Sequence, residues 1–318
     1  MTYLEEALHQ EAAVLRAALD LDVDAAVEAL RGADRVDLVG TGTSQHAAEL
    51  GVSMLRRCGL DARWWSSATA AREAEWRDDP VIVISHTGET AFARSVRDRV
   101  LRTGAARLIA LTGATADWPN ALRVAPREQS ETYTLSYTAV LIALAKIAGR
   151  LGAPEFTDEA LSGAVDAVAE AAAAPPPDVA GQGEVVVTGA GPAAITAREG
   201  ALKLREAARV RAVGYEAEYL LHGSAVPLGA GDELILLQPA ADADGLVGAV
   251  GQAATAEGVA VHEMSVDADL DPVLAQLPLT VRLQALASRL ATARGHDPDT
   301  VITGAWDDER LWSLGAPD

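Results

Sequence analysis

The chain is poor in the residues that staple, ligate or bind polyanions. Cys58 is the only cysteine, which excludes an internal disulfide framework and a cysteine-rich zinc site. His9, His46, His262 and His296 show no metal-ligand spacing, so we expect no metal. Aromatic residues make up 4% of the chain, leaving Val, Leu and Ala to fill the interior. Basic residues are outnumbered 26 to 46 by acidic ones, giving a formal charge of -20, which opposes any general affinity for nucleic acid or an anionic membrane. There is no run of ~20 apolar residues to span a bilayer. The N-terminus shows no basic segment followed by an apolar one, and a cytoplasmic location is expected.

Runs of β-branched residues alternate with Ala/Leu-rich amphipathic stretches, the pattern of an α/β protein with parallel sheets. At ~150 residues per domain, 318 residues suggest two domains. Residues 3–30 have helical period through Leu4, Leu8, Ala12, Leu15 and Leu19 and are expected to cover the first sheet. Strands are predicted at 36–40, 62–65, 80–85, 107–112 and 122–125. Helices are predicted over 46–58, 68–76, 91–101 and 134–151. The Pro-rich stretch 175–183 cannot continue a helix, so it is taken as a linker between domains 1–174 and 184–318. Beyond it the order recurs: strand 184–188, helix 194–209, a polar turn, strand 233–237, helix 244–257, strand 259–264 and helix 280–294. The recurrence suggests an internal duplication.

Three stretches carry possible chemistry. Ser85-His-Thr-Gly-Glu-Thr90 follows a strand and precedes a helix, so its hydroxyls and the free N–H groups of the helix start form an anion site. Gly42-Thr43-Ser44 has the same character and falls at the same edge of the sheet. Either loop alone could be simple helix capping; two on neighbouring strand ends point to phosphate. Neither is a Walker loop or a dinucleotide fingerprint, so no nucleotide cofactor is expected. The third stretch is helical, where Glu199, Lys203 and Glu206 stand at i, i+4 and i+7 on one face. On an exposed helix these would be surface pairs worth only ~0.3–0.5 kcal/mol each. Lys203 is nevertheless one of just two lysines, the other being Lys146, so a compact ammonium at this point is a pointed choice.

Gly42-Thr-Ser44, Ser85-x-Thr-Gly-Glu-Thr90 and Glu199-Gly-Ala-Leu-Lys-Leu-Arg-Glu206 with His222-Gly resemble the sugar isomerase (SIS) family, in particular the isomerase part of glucosamine-6-phosphate synthase. The resemblance runs from the first helix to about Gly295. It implies two tandem SIS domains, each a three-layer α/β/α unit of flavodoxin-like type. It implies that Glu206 moves a proton between C1 and C2 of an open-chain sugar, that Lys203 lies near those carbons, and that His222 assists ring opening at the partner subunit's site in a homodimer. Ser85, Thr87 and Thr90 match phosphate-binding hydroxyls, with Gly42, Thr43 and Ser44 close by. The types suit the task. A base working next to a carbonyl or imine must take and return one proton, partial burial raises a carboxyl's pKa toward working pH, and histidine exchanges protons near neutrality.

The sequence also departs from its relatives. It begins with the SIS-like part, so no glutaminase activity is expected of this chain alone. The tail after Gly295, with Trp306 and Trp312, has no counterpart of a family lysine. Glu218-Tyr-Leu-Leu precedes His222 where relatives carry Gly-Glu-Leu-Lys, and Ala68-Thr69 stands in place of a common acid. These differences surround the sugar head and leave the phosphate loop intact. The expected function is therefore aldose–ketose isomerisation of a sugar or amino-sugar phosphate, with or without amination, deamination or deglycation. The alternative is a non-catalytic phosphosugar sensor or partner subunit. His86 has no evident catalytic task.

Overall fold

A computed structural model of the chain describes residues 1–75, 78–103, 107–238, 245–266 and 269–317. The last residue of the helix expected over 68–76, and Asp244 at the start of that expected over 244–257, lie outside them.

The elements follow one another as α1 (Tyr3–Leu19), α2 (Asp24–Leu30), β1 (Arg35–Gly40), α3 (Thr43–Arg56), β2 (Asp61–Ser66), α4 (Ser67–Glu73), β3 (Val81–Ile84), α5 (Ala91–Thr103), β4 (Leu108–Gly113), β5 (Ala121–Ala125), α6 (Leu135–Arg150) and α7 (Asp158–Ala173). The second half continues with β6 (Val185–Gly189), α8 (Pro192–Ala208), β7 (Ala212–Glu216), α9 (Ala217–Tyr219), a kinked turn (Leu220–Ser224), β8 (Glu233–Gln238), α10 (Leu246–Ala256), β9 (Ala260–Ser265), α11 (Gln276–Arg294) and α12 (Glu309–Ser313).

The first sheet has the order β2-β1-β3-β4-β5 and the second β7-β6-β8-β9, and every ladder is parallel. Allowing for the fifth strand, the two orders are the same flavodoxin-like series. Both faces of each sheet are covered, which is why the central strands read as continuous apolar runs. On one face of the first sheet, Val81, Val83, Leu108 and Ala110 pack with α4 and α5. In the second sheet Val185, Val187, Ile235 and Leu237 face α8 and α11, while the alternate residues Val186, Leu234 and Leu236 face α10.

The repetition of the two sheets extends to backbone detail. Gly42, before α3, and Gly191, before α8, adopt φ/ψ of 57°/-127° and 56°/-126°, conformations only glycine takes without strain. At the ends of the neighbouring strands, Ser66 caps α4 by accepting from the Thr69 N–H, and Glu216 caps α9 by accepting from the Tyr219 N–H.

Compact units and chain halves do not coincide. One unit comprises residues 13–128, 135–162 and 302–318 around the first sheet, and the other comprises 1–12, 129–134 and 163–301 around the second. The helical stretch expected over 3–30 is broken between α1 and α2, and its first turns do not cover the first sheet: Leu4 lies in the second sheet's core, with Leu8 against it. The reason is local, since Asp299 accepts from the backbone N–H groups of Tyr3 and Leu4, satisfying donors at the start of α1. The stretch 175–183 is non-helical, as its prolines require, but it is tied down. Arg289 donates to the carbonyls of Pro177 and Val179, and the Glu233 carboxylate accepts from the N–H groups of Ala180 and Gly181. The expected polar turn after α8 is partly strand β7, a five-residue edge element whose mixed sequence hides its period.

Candidate active site

In the first-sheet unit, β1 and β3 are neighbours, while their chains leave in opposite directions toward β2 and β4. That is the switch point at which open α/β sheets hold ligands. Two loops leave the sheet there. The turn 41–44 bends at Gly42, whose carbonyl accepts from the N–H groups of Gln45 and His46, leaving Thr43 and Ser44 half-buried on the first turn of α3.

The loop 85–90 leads into the thirteen-residue helix α5. Ser85 is buried and its Oγ has no hydrogen-bond partner, a costly state for a hydroxyl unless a guest completes it. Thr112 is likewise buried with its Oγ1 unpartnered. It follows Leu111, which pairs with Ile84, so it stands next to Ser85 in register. Thr87 turns its Oγ1 to the Glu89 N–H at 3.1 Å, and Glu89 and Thr90 are exposed. The loop is braced from several sides. Trp118 Nε1 donates to the Gly88 carbonyl at 3.0 Å, the Gly113 N–H to the His86 carbonyl at 2.9 Å, and the Glu128 N–H to His86 Nε2 at 3.2 Å. The sequence carries no signal that sets Thr112 apart from other strand threonines or Trp118 apart from the chain's five other tryptophans.

The second-sheet unit holds the acid–amine–acid series. Lys203 Nζ lies 3.5 Å from Glu199 Oε1 and 2.6 Å from Glu206 Oε2. Lys203 and Glu199 are 1% and 0% exposed, so the surface-pair reading does not apply, whereas Glu206 retains 21%. Burial pushes the Glu206 carboxyl above the usual carboxylate range, and the charge of Glu199 adds to this against the pull of Lys203. The helix can carry these groups because its other face, through Ala193, Ala197, Ala201 and Leu204, is entirely apolar.

His222 stands apart from this series, at a kink in the turn Leu220–Ser224 where His222 (φ -84°, ψ 45°) and Gly223 (φ 104°, ψ -19°) leave helical geometry. It is 70% exposed, with Nε2 2.6 Å from Glu218 Oε1. Among the described residues no cluster of His, Cys, Asp or Glu could hold a metal ion, and no helix is long and apolar enough to cross a membrane.

The two parallel-sheet α/β units have the architecture that the resemblance to the SIS family implied. The chain is similar to glutamine–fructose-6-phosphate aminotransferases, at 28% identity over 331 residues for that of Caulobacter vibrioides (89% of this chain, 52% of the relative) and 25% over 310 for that of Sulfurisphaera tokodaii (88% and 51%). It thus spans about half the length of these curated relatives. Among solved structures, the C-terminal domain of glucosamine-fructose-6-phosphate aminotransferase from Francisella tularensis superposes with a TM-score of 0.79 at 17% identity (94% of this chain, 98% of that one). Glucosamine-6-phosphate deaminase from Thermotoga maritima gives 0.74 at 20% (94% and 97%). No family model matches the chain.

Proposed function

We propose that this protein is a phosphosugar-processing enzyme that interconverts aldose and ketose forms of a sugar or amino-sugar phosphate by moving a proton between C2 and C1. Deamination, ammonia-dependent amination and deglycation share that step and belong to the same reading. The observation that carries it is the buried Glu199–Lys203–Glu206 series, in which one carboxyl keeps an exposed edge and a raised pKa. Relatives named as aminotransferases that isomerise, as a deaminase and as a tagatose-6-phosphate ketose/aldose isomerase support it.

In this reading the Glu206 carboxylate removes the proton from C2. The C–H electron pair becomes the C1=C2 bond of an enediol or its amino equivalent while the π pair of the C1 carbonyl or imine moves to its heteroatom, which takes up a proton. The same carboxyl then returns its proton at C1 as the C2 hydroxyl or amine loses one and becomes the carbonyl or imine. A carboxyl whose pKa lies nearer neutrality suits both directions. Lys203, held between two acids, offsets negative charge on the intermediate. Ser85, Thr87 and Thr90, with Gly42, Thr43 and Ser44, hold the phosphate, and Thr112 joins them as a second buried hydroxyl. His222 serves ring opening at the partner subunit's site in a homodimer, a role its exposure leaves open to a neighbouring copy. The chemistry needs no cofactor.

The test is proton exchange in deuterated water with fructose 6-phosphate, glucosamine 6-phosphate and related phosphosugars. Deuterium should enter at C1 or C2 of at least one, and Glu206→Gln should abolish this while binding persists. No wash-in for any of them by folded protein would sink the enzyme reading. A thermal shift with those sugars but no exchange would instead favour a sensor.

A further inference from the structure

His86 lies between two of the candidate phosphate ligands, and its ring is turned into the protein. Nε2 accepts the Glu128 N–H, so in the neutral ring the proton sits on Nδ1. The ring rests against Gly113: a Cβ there would lie 2.6 Å from Cε1 and 2.7 Å from Nδ1. Gly113 in turn donates to the His86 carbonyl, where the β4–β5 ladder shifts register between Thr112 and Gly113. The imidazole therefore fits a slot that only glycine leaves open and fastens the loop to the segment after β5.

The Glu128 carboxylate is engaged elsewhere. It accepts from the N–H groups of Leu135 (3.0 Å) and Ser136 (2.9 Å) and from Ser136 Oγ (2.5 Å), capping α6. His86 thus meets the backbone donor of Glu128, a contact that exists only while Nε2 is unprotonated.

Resting on the reading of 85–90 as an anion loop, we propose that neutral His86 is a positioning residue that holds Ser85 and Thr87 in their binding geometry, so that protonating it weakens anion binding. The ordinary expectation has the opposite sign, because a cationic histidine beside a phosphate attracts it. The charged groups bearing on the ring are Glu128 and Arg127, which oppose each other, and burial pushes its pKa down overall. The neutral form is therefore the working form at neutral pH.

The probe is inorganic sulfate, which remains a dianion where phosphate itself would titrate, measured by titration at constant ionic strength from about pH 7.5 to about pH 5. Wild-type affinity should fall on acidification, reaching about fivefold once His86 is fully protonated, the equivalent of one hydrogen bond. His86→Gln, whose side-chain oxygen can still accept from Glu128, should bind like wild type at the higher pH and show no such fall. His86→Ala should bind weakly throughout. Side-chain ¹⁵N shifts of His86 at the higher pH should show the Nδ1–H tautomer. An affinity that rises on acidification, a Gln variant with the wild-type slope, or the Nε2–H tautomer would overturn the proposal. Sulfate binding indifferent to Ser85→Ala would instead remove the anion-loop reading on which it rests.

Discussion

Lys203 shares a buried helix face with two carboxylates, one of them wholly enclosed, so the cluster carries one negative charge too many when both acids are ionised. Burial is the main reason the Glu206 carboxyl keeps its proton to higher pH than usual, and the Glu199 charge adds to it against the pull of Lys203. A carboxyl with a raised folded pKa contributes stability that is full below its unfolded value and is lost as pH rises through the folded one. Glu206→Gln leaves one acid facing one amine, so at about pH 8 it should melt no lower than wild type, and its stability should vary less with pH between about 5 and 8. Lys203→Met does the reverse: it strands two buried acids and should cost about 3–5 kcal/mol. Urea unfolding of the three proteins at two pH values checks both. An equal loss in both variants would mean that the pairs, and not the charge excess, govern the helix.

Helix packing sets the next level. Gly→Ala in a helix ordinarily stabilises by ~1 kcal/mol, yet α8 carries Gly200 where a Cβ would meet the Leu283 side chain on α11, and β7 carries Gly214 where it would meet the backbone of Ala197 and Arg198. A side chain can yield and a backbone cannot. Gly200→Ala should therefore cost roughly 1–3 kcal/mol, and Gly214→Ala more, read as shifts in thermal midpoint. The strands of the first sheet and most of the long helices were legible in the sequence because their periods are uninterrupted; α7 (Asp158–Ala173), ahead of the Pro-rich stretch, was not among the expected helices. β7 was not legible, since Gly214 breaks any alternation along this five-residue edge strand. The site was legible as far as spacing along one element could show it: Glu199, Lys203 and Glu206 fall on one face by helical geometry alone. Their burial was not, nor was the Thr112 hydroxyl, which reaches its place through register with β3.

At the scale of the whole molecule, each compact unit draws on separated parts of the chain. Cutting at the Pro-rich stretch would deprive the second sheet's core of Leu4 and the first-sheet unit of residues 302–318, whose Gly315 and Pro317 carbonyls accept from Arg72 and Ser95. Fragments 1–174 and 184–318 should accordingly be poorly folded alone and recover native-like circular dichroism on mixing; two cooperative, independent melts would contradict this. The matched turns at Gly42 and Gly191 carry a different lesson. Their backbones agree within 1°, but one is followed by Thr43 and Ser44 and the other by Pro192 and Ala193, which offer one amide fewer and no hydroxyl. One shape thus serves two different chemistries: the turn that keeps hydroxyls and a full set of amides is suited to an anion, and the helix after the turn without them carries the buried acids and the amine.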